Sequence, residues 1–200
     1  MVIGLDFDNT IVCYDGVFHR VAVERGLIPP HTGRSKVQVK EYLCGQDREI
    51  VWTELQGSAY GPGMHFATPY PGVREAVSQL RQEGHEVFVV SHKTRVPYLG
   101  EPHDLHAAAW EWLERNAFFE PGGTALERDH VFLEVTKLDK LARIAALGCE
   151  LFVDDLPEFL LESRFPEGVR RVLFDPTGVG TPSPELEQLR SWTNLLELLD

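Results

Sequence analysis

Five short apolar runs, set apart by helical stretches, constrain this chain more than any other feature. They are VIGL at residues 2–5, HEVFVVS at 85–91, HVFLEV at 130–135, CELFVDD at 149–155 and VRRVLFD at 169–175. Each is rich in β-branched or aromatic residues and largely continuous in its apolar character, which suits a strand buried on both faces. The intervening segments carry a helical period. In PGVREAVSQLRQEG, Val73, Ala76, Val77 and Leu80 share one face and Gly84 ends the helix. TKLDKLARIAALG opens on Thr136 and Asp139, a capping-box variant, and closes on Gly148. A last helix is expected over SPELEQLRSWTNLLELL, after a Pro/Gly-rich loop. Strands that alternate with helices predict parallel β-α-β units with right-handed crossovers.

Two long interruptions break the rhythm. Residues 17–67 hold helical pieces (GVFHRVAVERG, KVQVKEYL, DREIVWTELQ) but no convincing strand, and 94–129 hold a Pro/Gly-rich loop and one helix, DLHAAAWEWLERNAFF. The first is expected to be a small helical cap inserted after the first strand, and the second an elaborated crossover. The expected division is therefore 1–16 with 68–200 as the core and 17–67 as the cap. A chain of 200 residues can bury one sizeable core with such an insertion.

Charge narrows the function classes. A net charge of -12 argues against sequence-independent nucleic-acid binding, which needs clustered Lys and Arg. It leaves a small phosphorylated molecule open, because local fields govern that recognition. Cys13, Cys44 and Cys149 are odd in number and lack metal-ligand spacing, so free thiols in a reducing cytoplasm are expected. Asp6 interrupts the first apolar run, leaving no signal-peptide core, and no stretch has the length of a membrane helix.

Ligands of an open parallel sheet bind beyond the carboxyl ends of its strands. Those ends carry Asp6 and Asp8, then Ser91-His92-Lys93-Thr94, then Lys137, then Asp154-Asp155. Four converging carboxylates repel one another, and a divalent cation and a lysine would relieve that repulsion. Oxygen ligands suit magnesium, which takes one or two carboxylates together with waters and a substrate phosphate. His92, Lys93 and Arg95 could grip a second acidic group of the substrate or simply neutralise an acidic neighbourhood. In SAYGPGMHFATPYPG (58–72), Tyr60, His65, Phe66 and Tyr70 either face a substrate or pin a linker to the core. His103 and His106, at i and i+3, lack a third ligand nearby, and Trp110 and Trp112 cannot share a helix face.

The order DFDNT, an apolar strand ending in Ser91, a lysine, then LFVDD resembles the motif order of the haloacid dehalogenase superfamily of phosphohydrolases, over roughly residues 1–16 and 68–175. The resemblance implies an α/β, Rossmann-like fold: a parallel sheet flanked by helices, with a small helical cap after the first strand. It implies Asp6 as nucleophile, Asp8 as general acid and base, and Ser91 as donor to the phosphoryl oxygens, with Asn9, Thr10, His92 and Lys93 around the phosphate. Magnesium would be held by Asp6, the main-chain carbonyl of Asp8, Asp154 and Asp155, the last through a water or by holding the lysine. Lys137, at the first helical position, is the favoured lysine, and Lys140 one turn later is the alternative. Tyr14 falls where the family has a flap over the site.

The implied activity is magnesium-dependent phosphomonoester hydrolysis through an aspartyl-phosphate, on a sugar phosphate or nucleotide. A phosphotransferase or mutase, a protein phosphatase, and a non-catalytic binding module are the alternatives. The expected partner is a small phosphorylated substrate, with no nucleic acid or membrane, for a cytoplasmic monomer or homodimer.

Overall fold

Apolar runs buried on both faces cannot leave strand edges in solvent, and here they pair with one another. The computed structural model describes residues 1–178 and 183–199. In chain order its elements are β1 (Val2–Leu5), β2 (Val12–Cys13), α1 (Val17–Glu24), α2 (Lys36–Cys44), α3 (Glu49–Tyr60), β3 (Thr68–Pro69), α4 (Val73–Gln82) and β4 (Glu86–His92). They continue with α5 (Leu105–Arg115), β5 (Val131–Glu134), α6 (Lys137–Ala146), β6 (Leu151–Asp154), α7 (Pro157–Leu160), β7 (Arg170–Phe174) and β8 (Glu187–Leu189). Six strands form one sheet in the order β5-β4-β1-β6-β7-β8, with every neighbouring pair parallel. β2 and β3 form a separate two-stranded ladder. Among the described residues no helix is long and apolar enough to cross a membrane.

Two compact units can be distinguished. A sheet unit comprises Met1–Val12, Pro69–His92 and Asn116–Asp200, and a helical unit comprises Cys13–Thr68 and Lys93–Arg115. The loop before α5 and α5 itself, read from sequence as part of a crossover, group with α1, α2 and α3. Two contacts account for this. The Trp112 indole N–H donates to the Ala67 carbonyl at 3.0 Å, and Gly57 of α3 lies so close to Pro97 that no side chain fits between them. Trp110 is half-buried while Trp112 is buried, as residues two apart on a helix require.

Within the sheet unit, β1 lies between β4 and β6, with Gly4 paired to Phe88 on one side and Phe152 on the other. From β1 the chain goes on to β4 and β5 on one side, then crosses back to β6 on the other. The carboxyl end of β1 is thus the topological switch point, where this architecture opens its binding crevice. On one face a core of Phe88, Val90, Leu141, Ile144, Phe152, Phe159, Phe165 and Leu173 is covered by α6 and α7. α4 buries Val73, Ala76, Val77 and Leu80, the four residues its period predicts.

The last helix expected from sequence is not there. Over 183–199 the chain forms β8 and two short 3-10 turns, Trp192–Asn194 and Leu196–Leu198. The open edge of β7 offers a ladder that outweighs the modest helical preference of ELEQL. Arg170 on β7 reinforces the choice through two bonds to Glu187, Nε to Oε1 at 2.9 Å and one terminal nitrogen to Oε2 at 2.7 Å. The part of the expected helix's leading loop at 179–182 lies outside the described residues.

A methyl group on Gly4 would clash with the edge of the Phe152 ring and lie 3.1 Å from the Cys149 sulfur. Gly4→Ala is therefore expected to lower stability by about 1–3 kcal/mol, as overpacking does. Urea denaturation measures it, and an unchanged midpoint would mean that the ring can turn aside at no cost.

Candidate active site

β1 ends at Leu5, but the ladder holds one residue more: the Asp6 N–H donates to the Val153 carbonyl at 2.8 Å. That bond aligns the Asp6 side chain with the end of β6. The chain then closes on itself, with the Ile11 and Val12 N–H groups both donating to the Phe7 carbonyl at 3.0 and 2.9 Å. Asn9, at the apex, has φ of 60°, a left-handed backbone that Asn tolerates better than most residues. From outside the loop, the buried Trp192 indole N–H donates to the Thr10 carbonyl at 3.1 Å.

Most buried polar side chains of the sheet unit gather here: Asp6, Thr10, Ser91, Lys140 and Asp154. Lys140 Nζ donates to Asp6 Oδ1 and to Asp154 Oδ2, both at 2.6 Å. Asp154 Oδ1 accepts from the Leu156 N–H at 2.9 Å. Thr10 Oγ1 lies 3.5 Å from Asp155 Oδ1, a long contact. Ligand atoms of Asp6, Asp154 and Asp155 lie within 4.8 Å of one another.

The field at this point is strained by burial. The Asp6 carboxyl is raised to about 7: desolvation pushes it up, the ammonium of Lys140 pulls it down, and the charges of Asp154 and Asp8 add to the rise. Burial opposes the charged form of Lys140 as well, yet the carboxylates of Asp6 and Asp154 outweigh it and hold the ammonium above its ordinary value. His92, at the end of β4, has Nε2 3.1 Å from the Val135 carbonyl, and burial lowers its pKa. The three carboxylates offer only hard oxygen donors around one point. That set fits magnesium better than a soft, thiolate-seeking metal.

No protein-family model matches the chain. A relative from Oceanobacillus iheyensis with the name "Putative nucleotidase OB0422" is 25% identical over 166 residues, covering 80% of this chain and 79% of that protein. Among solved structures, a "HAD-superfamily hydrolase, subfamily IA, variant 1" from Geobacter sulfurreducens superposes with a TM-score of 0.60 at 15% identity, over 100% of this chain and 96% of that one. The "putative HAD-hydrolase YfnB" of Bacillus subtilis, bound to magnesium, gives 0.62 at 15% identity, over 100% and 98%. A HAD family hydrolase from Deinococcus radiodurans, with bound phosphate and sodium, gives 0.55 at 17% identity, over 99% and 94%.

The chain shares the fold of these HAD-family hydrolases. The motif order read from the sequence now has a geometry in this chain. Asp6, Asp154 and Asp155 come together, and Ser91 is buried near the end of β4, paired in register with Leu133. The Asp8 carboxyl, expected near the metal only through its main chain, stands outside that acidic group and is half-buried. Lys93 belongs to the helical unit, where it is buried.

The lysine at the carboxylates is Lys140, not Lys137. Lys137 stands exposed at the first position of α6, beyond the Thr136 cap, while Lys140 is on the buried stripe with Leu141 and Ile144. That stripe is the signal that separates the two candidates. His103 and His106 do not pair as ligands: the buried His106 bonds through Nε2 to the Lys93 carbonyl at 2.7 Å. Trp192, which braces the Thr10 carbonyl, carries no sequence signal, because its partner is 182 positions away.

Lys140→Met leaves two buried carboxylates without their cation, which typically costs about 3–5 kcal/mol. A carboxyl raised from 3.8 to about 7 favours the fold below its unfolded value and loses that contribution as pH rises through the window between them. Without Lys140 the rise is larger, so the variant's stability deficit should be greatest near pH 8 and shrink toward pH 5. Urea midpoints at the two pH values check this, and a deficit independent of pH would contradict it.

Proposed function

We propose that the chain is a magnesium-dependent phosphomonoester hydrolase that works through an aspartyl-phosphate on Asp6. The observation that carries the reading is the buried Asp6–Lys140–Asp154 bridge beside Asp155, at the switch point of the sheet. A carboxylate held at 2.6 Å from an ammonium keeps one oxygen fixed and the other available for attack. Phosphoryl transfer asks little covalent chemistry of a protein beyond positioning and charge stabilisation, and this site is built for both.

In the first step an Asp6 oxygen bonds to phosphorus, the bond from phosphorus to the ester oxygen breaks, and Asp8 gives its proton to the departing oxygen. In the second, Asp8 takes a proton from water as that water attacks phosphorus, and the bond to Asp6 breaks to release phosphate. Ser91 donates its hydroxyl to the phosphoryl oxygens. Lys140 offsets the charge of Asp6 and Asp154 throughout. Magnesium, held by Asp6, Asp154 and Asp155, would supply neutralisation of the phosphoryl charge.

The likeness to a magnesium-bound fold and to one holding phosphate supports this reading. The relative named for nucleotidase activity favours a nucleotide or a similarly small phosphate ester as substrate.

Phosphate release from a panel of phosphate esters tests the proposal. Release should require magnesium, stop in chelator and fail in calcium, whose longer, more numerous oxygen bonds would occupy both oxygens of Asp6. Equal turnover in calcium would overturn it. Asp8→Asn should lower kcat on an alkyl phosphate by about 100- to 10,000-fold, the usual worth of a general acid and base, and cost less in forming the intermediate from an aryl ester. Asp6→Asn should abolish turnover of both. Identical behaviour of the two variants on both esters would remove the division of labour.

A further inference from the structure

The loop that carries Asp8 is closed from within by its N–H groups and held from outside by its carbonyls. Ile11 and Val12 give their N–H groups to the Phe7 carbonyl, at 3.0 and 2.9 Å. The Thr10 carbonyl accepts from the Trp192 indole N–H at 3.1 Å, and the Ile11 carbonyl accepts from the Tyr70 N–H at 2.9 Å. Both clamps meet Phe174 at the end of β7, with ring centres 5.3 Å away for Trp192 and 4.8 Å for Tyr70. Two successive peptide groups, two and three residues beyond Asp8, are thus fixed by segments distant in sequence.

The turn that presents Trp192 is itself braced. Ser191 Oγ accepts from the Thr193 N–H at 3.3 Å. Gly72, at the start of α4, has φ of 83°, and a methyl group there would lie 3.2 Å from the Thr193 methyl and 3.5 Å from Trp192 Cβ. A buried indole N–H needs an acceptor, and here the acceptor is a loop carbonyl rather than part of a ladder. The loop has need of it. It turns at Asn9 through a left-handed backbone and pairs with itself through the isolated bridge of Asp8 with Val12. Proton transfer requires a carboxyl within hydrogen-bond reach of the reacting oxygen, and a displacement of about 1 Å can cost about 100-fold in rate.

We infer that Trp192 is a positioning residue for Asp8: its indole N–H, acting through the Thr10 carbonyl, holds the loop where Asp8 exchanges protons. The inference rests on the hydrolase reading above, which gives Asp8 its protons to move. Asp6 has its own anchor in the ladder bond to the Val153 carbonyl, so loss of the indole bond falls on Asp8 first. The C-terminal turn thereby belongs to the catalytic unit and is more than a cover for the sheet.

A double-mutant cycle between Trp192→Phe and Asp8→Asn tests this. Trp192→Phe keeps an aromatic ring and removes the donor. It is expected to lower kcat on an alkyl phosphate by about 10- to 100-fold, with KM little changed. In the Asp8→Asn background the same substitution should cost almost nothing, because the group it positions has already lost its proton. With an aryl ester, Trp192→Phe should accumulate the aspartyl-phosphate, since release of the intermediate still needs Asp8 as base. Urea midpoints establish the folded fraction to which each kcat is referred. If Trp192→Phe does not fold, Ser191→Ala at the half-buried cap loosens the same turn, and its smaller loss should likewise vanish in the Asp8→Asn background.

An undiminished kcat in folded Trp192→Phe overturns the inference. So does an equal fall in both backgrounds, which a purely structural role would give. Either result, in a protein whose unaltered form hydrolyses the ester, leaves the hydrolase reading standing. An unaltered protein that hydrolyses no ester overturns that reading, and the inference falls with it.

Discussion

One buried ammonium organises the sheet unit. Lys140 reaches from α6 to within 2.6 Å of carboxylates on two different strand ends. Removing three charges from water is expensive, and the attraction among them offsets the cost only when geometry is tight and the remaining oxygens are bonded. The structure meets both conditions for Asp154, whose second oxygen takes the Leu156 N–H at 2.9 Å. For Asp6 one oxygen takes the Lys140 ammonium at 2.6 Å. The result is a carboxyl raised to about 7, burial pushing it up against the pull of the neighbouring cation. Burial combined with a specific charge partner shifts carboxyl groups in this way at functional sites, and buried structural ion pairs do the same.

The surrounding elements serve that bridge. α6 can present Lys140 because Thr136 caps the helix, its hydroxyl accepting from the Asp139 N–H at 3.1 Å and so setting the helix's phase. Gly4 leaves room for the Phe152 ring of β6, the strand that carries Asp154 beside Asp6. Trp192 holds the Thr10 carbonyl from the far end of the chain. Each contact is local and modest, but together they leave the strand-end carboxylates little freedom, and pre-organised charge is what phosphoryl transfer rewards.

Much of this was legible in the sequence. Period-based reading locates five of the six strands of the main sheet and the buried face of α4, because parallel strands and amphipathic helices write their environment into neighbouring residues. The acidic pairs at the ends of β1 and β6 were legible for the same reason: carboxylates at the end of an apolar strand need a use. What escaped depends on distant partners. β8 forms because β7 offers an edge and Arg170 offers Glu187 a partner, neither visible in ELEQL itself. The grouping of α5 with α1, α2 and α3 rests on Trp112 and Pro97 meeting residues 45 and 40 positions away. Lys137 and Lys140 stand a turn apart on one helix, and only the depth of packing along α6 separates them.

The central claim is that the bridged carboxylate at position 6 carries the phosphoryl group. An acyl phosphate on an aspartate is reduced by borohydride to homoserine. Mass spectrometry of protein quenched during turnover of a phosphate ester with magnesium, reduced and digested, therefore reads the site of the intermediate directly. Homoserine at position 6, dependent on the ester and absent in Asp6→Asn, is the expected result. Turnover without any reducible aspartyl adduct, or an adduct at a residue other than Asp6, would contradict the account.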